Sequence, residues 1–467
     1  MRSKFVFLVI TIALFLASCS TKDDKEKRTS PNVVFIVVDD LRPQLNCYGS
    51  AEIKSPFIDQ LSANTNMYLN AVANAPVCGA SRASFLTGLR PNNNRFKSYD
   101  SRIDQDAPNV PTIGAWFKRN GYYTISNGKT THEKLDAPES WSEPAWKAEE
   151  DWRDYQTIAN KLIAKDNNGI AKSHEIGDSL LGTYADIKLI TKSIADLKRM
   201  QNENQPFFIA VGIQKPHLPF NAPKKYWNMY LEKEILLADN RYQPKNSPKI
   251  SMHNYGELRK YIDIPSNKNT ALADSIQRKL KHGYFSCVSY IDNEIGRLIR
   301  ALKKMSLYEN TVIVLVGDHG WQLGEHNLWA KHCNYQTSLK VPLLIKAANQ
   351  KQQQKVNAVV ELIDLYPTLC ELCGISKPKH LQGKSLVNLR TKNSNSTAFS
   401  KYKKGTTITT NAYSYTKWIA KKSKQQLGHM LYDLKNDPNE NLSLINDSSY
   451  KETINYYSKK LDSIQNL

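Results

Sequence analysis

Two pairs of polar residues each follow an apolar segment that is typical of a buried strand. Asp39 and Asp40 come after one segment, and Asp318 and His319 come just after the other. The two segments are Val33–Val38 and Thr311–Val316. Parallel α/β sheets place their ligand sites at the carboxyl ends of the strands, so these side chains are expected to meet at one point. Taken alone, Asp39 and Asp40 could equally cap a helix.

A cysteine opens the segment with the clearest signature. Residues 78–88 read CGASRASFLTG, which resembles the Cys-x-Pro-x-Arg pattern of sulfatases, with Ala80 at the proline position. The continuation through Pro91 is similar to iduronate-2-sulfatases, and further similar segments occur in matching order over residues 31–440. These segments are Asp39–Pro43, Cys47–Gly49, Gly128–His132, Lys215–Phe220, Asp318–Trp321, Glu325–His326 and Trp329–Lys331. One such match would be weak, whereas the ordered set is specific.

The resemblance implies an unusual nucleophile. In sulfatases a maturation enzyme oxidises the motif cysteine, here Cys78, to formylglycine, whose hydrate carries two hydroxyls. One hydroxyl attacks sulfur, and the other later collapses to the aldehyde and expels sulfate. A hard cation such as Ca²⁺ lowers the pKa of the hydrate and neutralises the sulfate. We therefore expect Ca²⁺, formylglycine at Cys78 and a formylglycine-generating maturase as a partner.

The resemblance also implies the metal ligands. Asp39, Asp40 and Asp318 become calcium ligands, together with the modified Cys78 through oxygen and His319 in the fourth protein position. Histidine is an uncommon ligand for Ca²⁺, so His319 has a second expected role as a hydrogen-bond partner of the nucleophile.

The catalytic residues carried over from the resemblance are Cys78, Arg82, Lys129, His132, His217 and Lys331. Arg82 is expected one helical turn after Cys78, where it steadies the hydrate at the start of a helix. Lys129 and Lys331 are expected to bind sulfate oxygens. His132 is assigned to the hydrate and His217 to protonation of the leaving sugar oxygen, a task that Lys331 shares. Residues without an assigned role are Lys215, Trp321, Glu325 and His326.

Two other functions compete with this interpretation. Phosphatases and phosphodiesterases of the same superfold usually use Ser or Thr as the nucleophile and two zinc ions with more histidine ligands. The cysteine and the carboxylate-rich ligand set of this chain do not match them. A non-catalytic glycan-binding protein would keep the pocket but would not require the whole set of lysines and histidines. Ala80 at the proline position bears on maturation, and radical-type bacterial maturases accept alanine there, so conversion of Cys78 is expected.

The substrate is predicted less sharply than the reaction. The resemblance implies removal of the 2-O-sulfate of an iduronic or other uronic residue in a heparan- or dermatan-like glycan. Related bacterial enzymes act on marine polysaccharides such as ulvan, including 2-O-sulfated xylose, so this alternative stays open.

The fold class that these patterns predict is α/β. Strands alternate with helices, and the resemblance implies an alkaline-phosphatase-like fold with a large, mixed, mostly parallel sheet between helices and a smaller C-terminal α+β subdomain. The predicted catalytic domain covers residues 31–390 and the subdomain residues 391–467. Further predicted elements are a strand at Phe207–Val211, helices at Ser286–Leu302, Leu362–Leu372 and Tyr450–Leu461, and strands within Thr406–Ala420.

The N-terminus predicts export. Arg2 and Lys4 precede an apolar run that is too short to span a bilayer, so residues 1–18 are interpreted as a signal peptide. The Leu-Ala-Ser-Cys ending resembles a bacterial lipobox, which makes Cys19 the lipidated first residue and the membrane anchor. Residues 19–30 are expected to form a flexible tether. The expected location is the outer membrane, at the cell surface or otherwise facing the periplasm.

Charge and cysteine content narrow the partners. The chain has a formal net charge of +20, which falls to +18 once Arg2 and Lys4 leave with the signal peptide. A strongly basic surface attracts polyanions, and in an exported chain without a nucleic-acid module a sulfated or uronic polysaccharide is a better candidate than nucleic acid. The charge is equally consistent with a solvated, lysine-rich surface that has no polyanionic partner. The seven cysteines do not suggest a disulfide framework, and Cys370 and Cys373 are interpreted as buried packing residues.

Overall fold

The computed structural model describes residues 30–133, 135–149, 152–177, 184–387, 389 and 396–465. The predicted signal peptide, Cys19 and nearly all of the predicted tether lie outside these ranges, so those assignments stay predictions. The strands are β1 (Asn32–Val38), β2 (Asn66–Val72), β3 (Tyr123–Gly128), β4 (His174–Gly177), β5 (Phe207–Ile213), β6 (Phe220–Pro223), β7 (Thr311–Gly317), β8 (Gln322–Leu323), β9 (Trp329–Ala330), β10 (Lys340–Lys346), β11 (Gln354–Glu361), β12 (Ala398–Tyr402), β13 (Gly405–Thr409), β14 (Tyr413–Ile419) and β15 (Gln426–Asp433). The helices are α1 (Pro56–Ser62), α2 (Cys78–Thr87), α3 (Ile103–Asp106), α4 (Ile113–Arg119), α5 (Ile158–Asp166), α6 (Ala185–Met200), α7 (Lys224–Trp227), α8 (Asp274–Lys304), α9 (Gln336–Leu339), α10 (Leu365–Leu372) and α11 (Lys451–Gln465).

The three strands predicted before residue 320 are β1, β5 and β7, and they lie together in a seven-stranded sheet of order β11-β2-β10-β7-β1-β5-β3. Strand β1 pairs in parallel with β5 on one side and with β7 on the other. Within this sheet β10 runs antiparallel to both neighbours, and the remaining pairs are parallel. The large, mixed, mostly parallel sheet predicted from the sequence is therefore confirmed.

Both faces of the sheet are covered by helices. Alternate side chains of β1 enter different apolar cores: Val34 and Ile36 face one core, and Val33 and Phe35 face the other. The first core includes side chains of α6 and α8, and the second includes side chains of α2, α4 and α10. A strand that is buried on both faces must be apolar at every position, which is why β1 and β7 are recognisable in the sequence.

Helix α8 is longer than predicted. It begins at Asp274, whereas the predicted helix began at Ser286. The prediction missed the first three turns because they carry lysines, glutamine and histidine beside the buried Leu280 and Tyr284. These polar residues obscure the apolar face in the sequence. Gly283 lies at the crossing with β6, where an added Cβ would come within 2.7 Å of the Phe220 Cβ. The second predicted helix is confirmed as α10, preceded by a short 3₁₀ turn at Leu362–Asp364.

The C-terminal part of the chain forms a four-stranded antiparallel sheet, β12-β13-β14-β15, with α11 packed against β13 and β14. The strands predicted within Thr406–Ala420 and the terminal helix are thus confirmed. The sheet joins the main body where the Ser400 hydroxyl donates to the carbonyl of Ala73 at 2.6 Å. The predicted domain boundary near residue 390 adjoins residues 390–395, which lie outside the described ranges.

Membrane-spanning helices and disulfides are both absent from the described residues. None of their helices combines the length and the apolar character that crossing a bilayer requires. Their six cysteines are all thiols without a disulfide partner. Cys370 of α10 and Cys373, which directly follows that helix, lie in the apolar core, in agreement with their interpretation as packing residues.

Candidate active site

The strand-end residues meet at the carboxyl edge of the main sheet. The backbone N–H of Asp39 donates to the Ile213 carbonyl at the end of β5 at 3.1 Å, and that of Asp318 donates to the Val38 carbonyl at 3.2 Å. Asp40 turns the chain out of β1 with a left-handed backbone (φ 60°), an uncommon conformation for a non-glycine residue. Its N–H donates to Asp318 Oδ1 at 3.1 Å, which holds the two acidic segments together.

These segments form a buried cluster that could hold a metal ion. One ligand atom from each of Asp39, Asp40, Asp318 and His319 lies within 4.8 Å of the others, and all four side chains are fully buried. Asp39 and His319 also group with the sulfur of Cys78 in the same way. His319 Nε2 is buried without a hydrogen-bond partner. Three carboxylates with an unsatisfied imidazole nitrogen fit a divalent cation, because a cation would balance the carboxylates and give that nitrogen a partner.

Cys78 is the first residue of helix α2, as predicted, and points toward this cluster. Its sulfur lies 3.3 Å from His132 Nδ1. The Ser81 hydroxyl donates to the Asp318 carbonyl at 2.5 Å and ties the first turn of the helix to the metal-binding segment. Gly79 allows close packing here, since an added Cβ would come within 1.9 Å of the Tyr99 carbonyl oxygen.

Arg82 connects the carboxylates. Its guanidinium is fully buried, with Nε 2.9 Å from Asp318 Oδ2 and Nη2 3.3 Å from Asp39 Oδ1. Nη1 also donates to the backbone carbonyl of Lys129. Burial lowers the pKa of Arg82, but the charges of Asp318 and Asp39 outweigh it and raise the pKa overall. Arg82 thus fixes the positions of two candidate metal ligands on neighbouring strands.

Two lysines pair with different acids of the cluster. Lys129 Nζ lies 2.5 Å from Asp39 Oδ2, and Lys331 Nζ lies 3.0 Å from Asp40 Oδ1. Lys129 follows β3, and its backbone N–H donates to the Gly212 carbonyl at 2.8 Å. A Cβ at Gly212 would lie 2.1 Å from the Lys129 carbonyl carbon, so only glycine permits this approach. Both ammonium groups also lie close enough to Cys78 for their charges to lower the pKa of its thiol.

The charges act unequally on the acids and the thiol. Burial raises the pKa of Asp39, but Lys129 and Arg82 together hold it well below its usual value. Burial raises the pKa of Asp40 to about 8 in spite of Lys331, so this carboxyl is short of compensating positive charge. The pKa of Cys78 is lowered although burial opposes this, mainly by Lys129 and by His319. A cation at the cluster would supply the charge that Asp40 lacks.

The two predicted proton-transfer residues lie on different sides of the site. His132 faces Cys78, and burial together with Lys129 lowers its pKa to about 4, so it is neutral at pH 7 and can accept a proton. His217 donates from Nδ1 to the Leu218 carbonyl at 2.6 Å, which directs Nε2 into the site. Nε2 then lies 3.9 Å from Asp40 Oδ2.

Glu257 is a site residue that the sequence patterns did not indicate. Its Oε1 lies 3.2 Å from His217 Nε2 and 3.2 Å from Lys331 Nζ. Burial raises the pKa of Glu257, but Lys331 and His217 bring it well below its usual value. Glu257 does not follow a strand of the main sheet, and it lies in none of the segments that resemble sulfatases. A single glutamate in such a loop cannot be recognised from the sequence as a site residue.

Two family models match this chain. A family model described as "Sulfatase" matches residues 31–375, and one described as "N-sulphoglucosamine sulphohydrolase, C-terminal" matches residues 324–467. The first match covers well over half of the chain. The chain belongs to the sulfatase family. It is a sulfuric ester hydrolase, as the sequence segments predicted.

Curated relatives of this sulfatase include glycan-directed enzymes by name. Iduronate 2-sulfatase of Mus musculus is 33% identical over 382 residues, which cover 74% of this chain and 69% of the relative. A sulfatase of Formosa agariphila is 28% identical over 97% of this chain and 90% of its own length. An ulvan-active sulfatase of the same species is 27% identical over 82% of this chain and 70% of its own length.

Solved structures share the fold of this sulfatase. A protein in complex with its substrate D-glucosamine-2-N,6-O-disulfate aligns with a TM-score of 0.73 and 19% identity, over 94% of this chain and 98% of the other. The phosphonate monoester hydrolase of Agrobacterium radiobacter aligns with a TM-score of 0.75 and 20% identity, over 93% and 95% of the two chains. A 2-O GAG sulfatase aligns with a TM-score of 0.68 and 22% identity, over 93% and 92%. The predicted alkaline-phosphatase-like fold is confirmed.

The four residues left without a role in the sulfatase make contacts of different kinds. Lys215 donates to the carbonyls of Trp152, His217 and Pro219 at 3.1, 3.2 and 2.7 Å, so it shapes the loop that carries His217. The Trp321 ring lies 4.9 Å from Lys331 Nζ. Glu325 pairs with Arg42 at 2.8 Å. His326 packs on Tyr335, with ring centroids 4.6 Å apart.

Proposed function

We propose that this sulfatase removes the 2-O-sulfate of a uronic, iduronate-type residue in a sulfated glycan, with Cys78 acting after conversion to formylglycine. The observation that carries the proposal is the surroundings of Cys78: an acid cluster on one side, His132 at 3.3 Å, and the two buried lysines facing the same acids. The 33% identity to iduronate 2-sulfatase supports the choice of substrate.

The proposed cofactors are Ca²⁺ and the formylglycine itself. Asp39, Asp40 and Asp318 would hold the ion, together with the modified Cys78 through oxygen and His319 in the fourth protein position. This oxygen-rich set suits Ca²⁺ better than a softer metal. When both groups are present, they supply the attacking hydroxyl and the positive charge that neutralises sulfate. His319 serves either as a ligand or as a hydrogen-bond donor to the modified side chain.

The remaining chemistry belongs to the protein's own side chains. Lys129 and Lys331 bind the sulfate oxygens, because their ammonium groups are buried and already directed at the acids beside Cys78. His132, neutral because its pKa is about 4, accepts the proton at the residue-78 side chain. His217 donates a proton from Nε2 to the leaving sugar oxygen, and Lys331 assists there.

A second candidate substrate is a marine polysaccharide of the ulvan type, such as one bearing 2-O-sulfated xylose. The similarity to an ulvan-active sulfatase of Formosa agariphila favours it. Both candidates are polyanions and both suit a chain with a formal net charge of +20. The two candidates differ in the sugar that carries the sulfate, a uronic residue or xylose. Measuring the turnover of defined disaccharides of each kind therefore distinguishes them.

The test begins with the Cys78 peptide. The full chain is expressed with a radical-type maturase, and peptide mass spectrometry measures the fraction of formylglycine. Sulfate release is then measured from a 2-O-sulfated uronic disaccharide and from an ulvan disaccharide, with Cys78→Ala as the matched control. We expect conversion and release by the parent chain alone. An unconverted Cys78 with no release from either sugar would instead support a glycan-binding protein.

We also propose that the enzyme is an outer-membrane lipoprotein anchored at Cys19, on the cell surface or otherwise facing the periplasm. The lipobox-like ending at Cys19 and the charged residues 20–28 support this. Metabolic labelling with an alkyne fatty acid tests it, with Cys19→Ser as the control. Label in the parent chain and none in the variant is expected; equal labelling of both would contradict the anchor.

A further inference from the structure

Two hairpin tips of the C-terminal sheet lie side by side. One tip joins β12 to β13 at Lys403 and Lys404, and the other joins β14 to β15 at residues 420–425. Since β13 and β14 are antiparallel neighbours with Gly405 opposite Trp418, both tips are at the same end of the sheet. The Ile419 N–H donates to the Lys404 carbonyl at 3.0 Å and closes the gap between them.

This end of the sheet is strongly basic. Residues 400–432 contain seven lysines and no aspartate or glutamate. We call five of these lysines, which are all exposed, the lysine ridge: Lys403, Lys404, Lys421, Lys422 and Lys424. On the surfaces of soluble proteins, positive and negative side chains are normally mixed. An exposed stretch that carries only positive side chains therefore creates a local positive potential.

One tip of the lysine ridge adjoins the leaving-group side of the active site. Lys403 Nζ lies 5.3 Å from the centre of the Tyr402 ring, and that ring lies 5.8 Å from the ring of His332. His332 directly follows Lys331, and its Nδ1 lies 3.9 Å from Glu257 Oε2. A short path of contacts therefore connects the ridge to the lysine proposed to act at the leaving sugar.

The other tip adjoins the nucleophile side. Lys421 Nζ donates to the Asn93 carbonyl at 3.3 Å and to Asn94 Oδ1 at 3.4 Å. The same loop runs on to Tyr99, whose carbonyl packs against Gly79. Tyr99 is 61% exposed, and the centre of its ring lies 6.0 Å from that of the His132 ring. The ridge is thus in contact with segments that border both sides of the site.

We infer that the lysine ridge binds the part of a sulfated glycan that extends beyond the residue being hydrolysed. The inference rests on the proposed function, because it assumes that the active site receives one residue of a longer sulfated chain. Each exposed lysine contributes a weak, salt-screened attraction, so the ridge needs a ligand with repeated anionic groups rather than a single sulfate. Glycan length, not sulfate position, is what the ridge selects.

The kinetic test compares a long with a short substrate. For the matured enzyme, kcat/KM is measured on an oligosaccharide and on the corresponding disaccharide, and their ratio is taken. K421Q/K422Q/K424Q should lower this ratio about tenfold at low salt, since three weak charge contacts are lost. The matched control is K304Q/K351Q/K355Q, which removes three exposed lysines near the opposite, amino-terminal edge of the main sheet. An equal ratio in both variants would overturn the inference.

A binding test separates this inference from the proposed reaction. The full chain with Cys78→Ala is titrated with a fluorescent heparin oligosaccharide, with duplex DNA of equal charge and with phosphatidylglycerol vesicles. Ridge-dependent binding that is tightest for heparin supports the inference, even if no sulfated sugar is turned over and the proposed function fails. Ridge-dependent binding that is as tight for DNA or vesicles would overturn the choice of a glycan. Equal heparin affinity in the ridge and control variants would overturn the site.

Discussion

His217 Nε2 and Glu257 Oε1 lie 3.2 Å apart, and the same carboxylate oxygen lies 3.2 Å from Lys331 Nζ. Glu257 therefore contacts both groups that we assign to the leaving sugar oxygen. Because His217 Nδ1 is engaged with the Leu218 carbonyl, Nε2 is the nitrogen that would carry the transferred proton. Among the described residues, Glu257 and Asp40 are the acids within 4 Å of that nitrogen. Glu257 is thus a positioning residue for the proposed general acid.

Glu257→Gln should slow the enzyme according to its leaving group. The amide is neutral, so it holds an imidazolium less well than the carboxylate does. We expect kcat on a sugar sulfate to fall about tenfold, whereas an aryl sulfate with an acidic phenol leaving group, which needs little protonation, should lose about twofold or less. Steady-state kinetics on both substrates checks this.

Glu133→Gln is the matched control for that substitution. Glu133 Oε1 lies 3.8 Å from His132 Nε2, on the nucleophile side of the site. Its loss should affect sugar and aryl sulfates to the same extent. If Glu257→Gln also slowed both substrates equally, Glu257 would have a structural role rather than one at the leaving group.

The sequence predicted those parts of the site that follow regular elements. Asp39 and Asp318 were found because each ends a strand that is buried on both faces and hence apolar throughout. Glu257 was missed because it lies in an irregular loop, far along the chain from the strand-end residues that it contacts, and no sequence pattern indicates that contact. The lysine ridge was visible only as net charge, since residues 403–404 and 421–424 become neighbours through the pairing of β13 with β14.

Ala80→Pro should leave the fold intact and broaden maturation. Ala80 is the third residue of α2, and its N–H precedes the first intrahelical bond, from the Ser81 N–H to the Val77 carbonyl at 2.9 Å. Proline there removes no helical hydrogen bond, and Gly79 before it has no Cβ to meet the ring. We expect Tm to change by about 3 °C or less and a proline-reading maturase to convert more Cys78.

Ser84→Pro tests the same argument in the interior of α2. There proline removes a helical hydrogen bond and should cost about 3 kcal/mol. Thermal denaturation of both variants, with peptide mass spectrometry of Cys78, gives the comparison. A loss of stability in Ala80→Pro as large as in Ser84→Pro would show that the first turn cannot accept proline.

Calcium should stabilise the protein as well as activate it. Asp39, Asp40 and Asp318 are buried together, so a bound cation relieves their repulsion only in the folded state. Ca²⁺ at about 100 times its Kd should add about 2.7 kcal/mol to the free energy of unfolding, and a chelator should remove it. Asp318→Asn should abolish this shift in Tm, whereas Asp274→Asn, at an exposed acid, should keep it. A shift retained in Asp318→Asn would argue against this cluster as the site.

Asp292 gives a pH dependence of stability far from the active-site chemistry. It accepts hydrogen bonds from the Phe57 and Ile58 N–H groups at 3.2 and 2.7 Å, and burial raises its pKa from 3.8 to about 7. The folded state therefore holds a proton that the unfolded state has released between about pH 4 and 7. The stabilising contribution of Asp292 is complete below its unfolded pKa and declines as the pH rises through this window.

Asp292→Asn removes that titration. Asparagine has one acceptor oxygen where aspartate has two, and this loss lowers the free energy of unfolding by the same amount at every pH. Only the pH dependence of the difference in stability between variant and parent therefore measures the effect of the Asp292 proton. We expect this difference to shift in favour of the variant by about 2.6 kcal/mol from pH 5 to pH 8, measured by thermal or urea denaturation. Asp263→Asn should leave the difference nearly constant from pH 5 to pH 8 and show the opposite trend only below about pH 4. Burial raises the pKa of Asp263, but hydrogen bonds from His174 and Ser173 lower it overall, so its stabilising contribution is lost only as the pH falls through that lower range. A difference for Asp292→Asn that stays constant with pH would contradict the raised pKa.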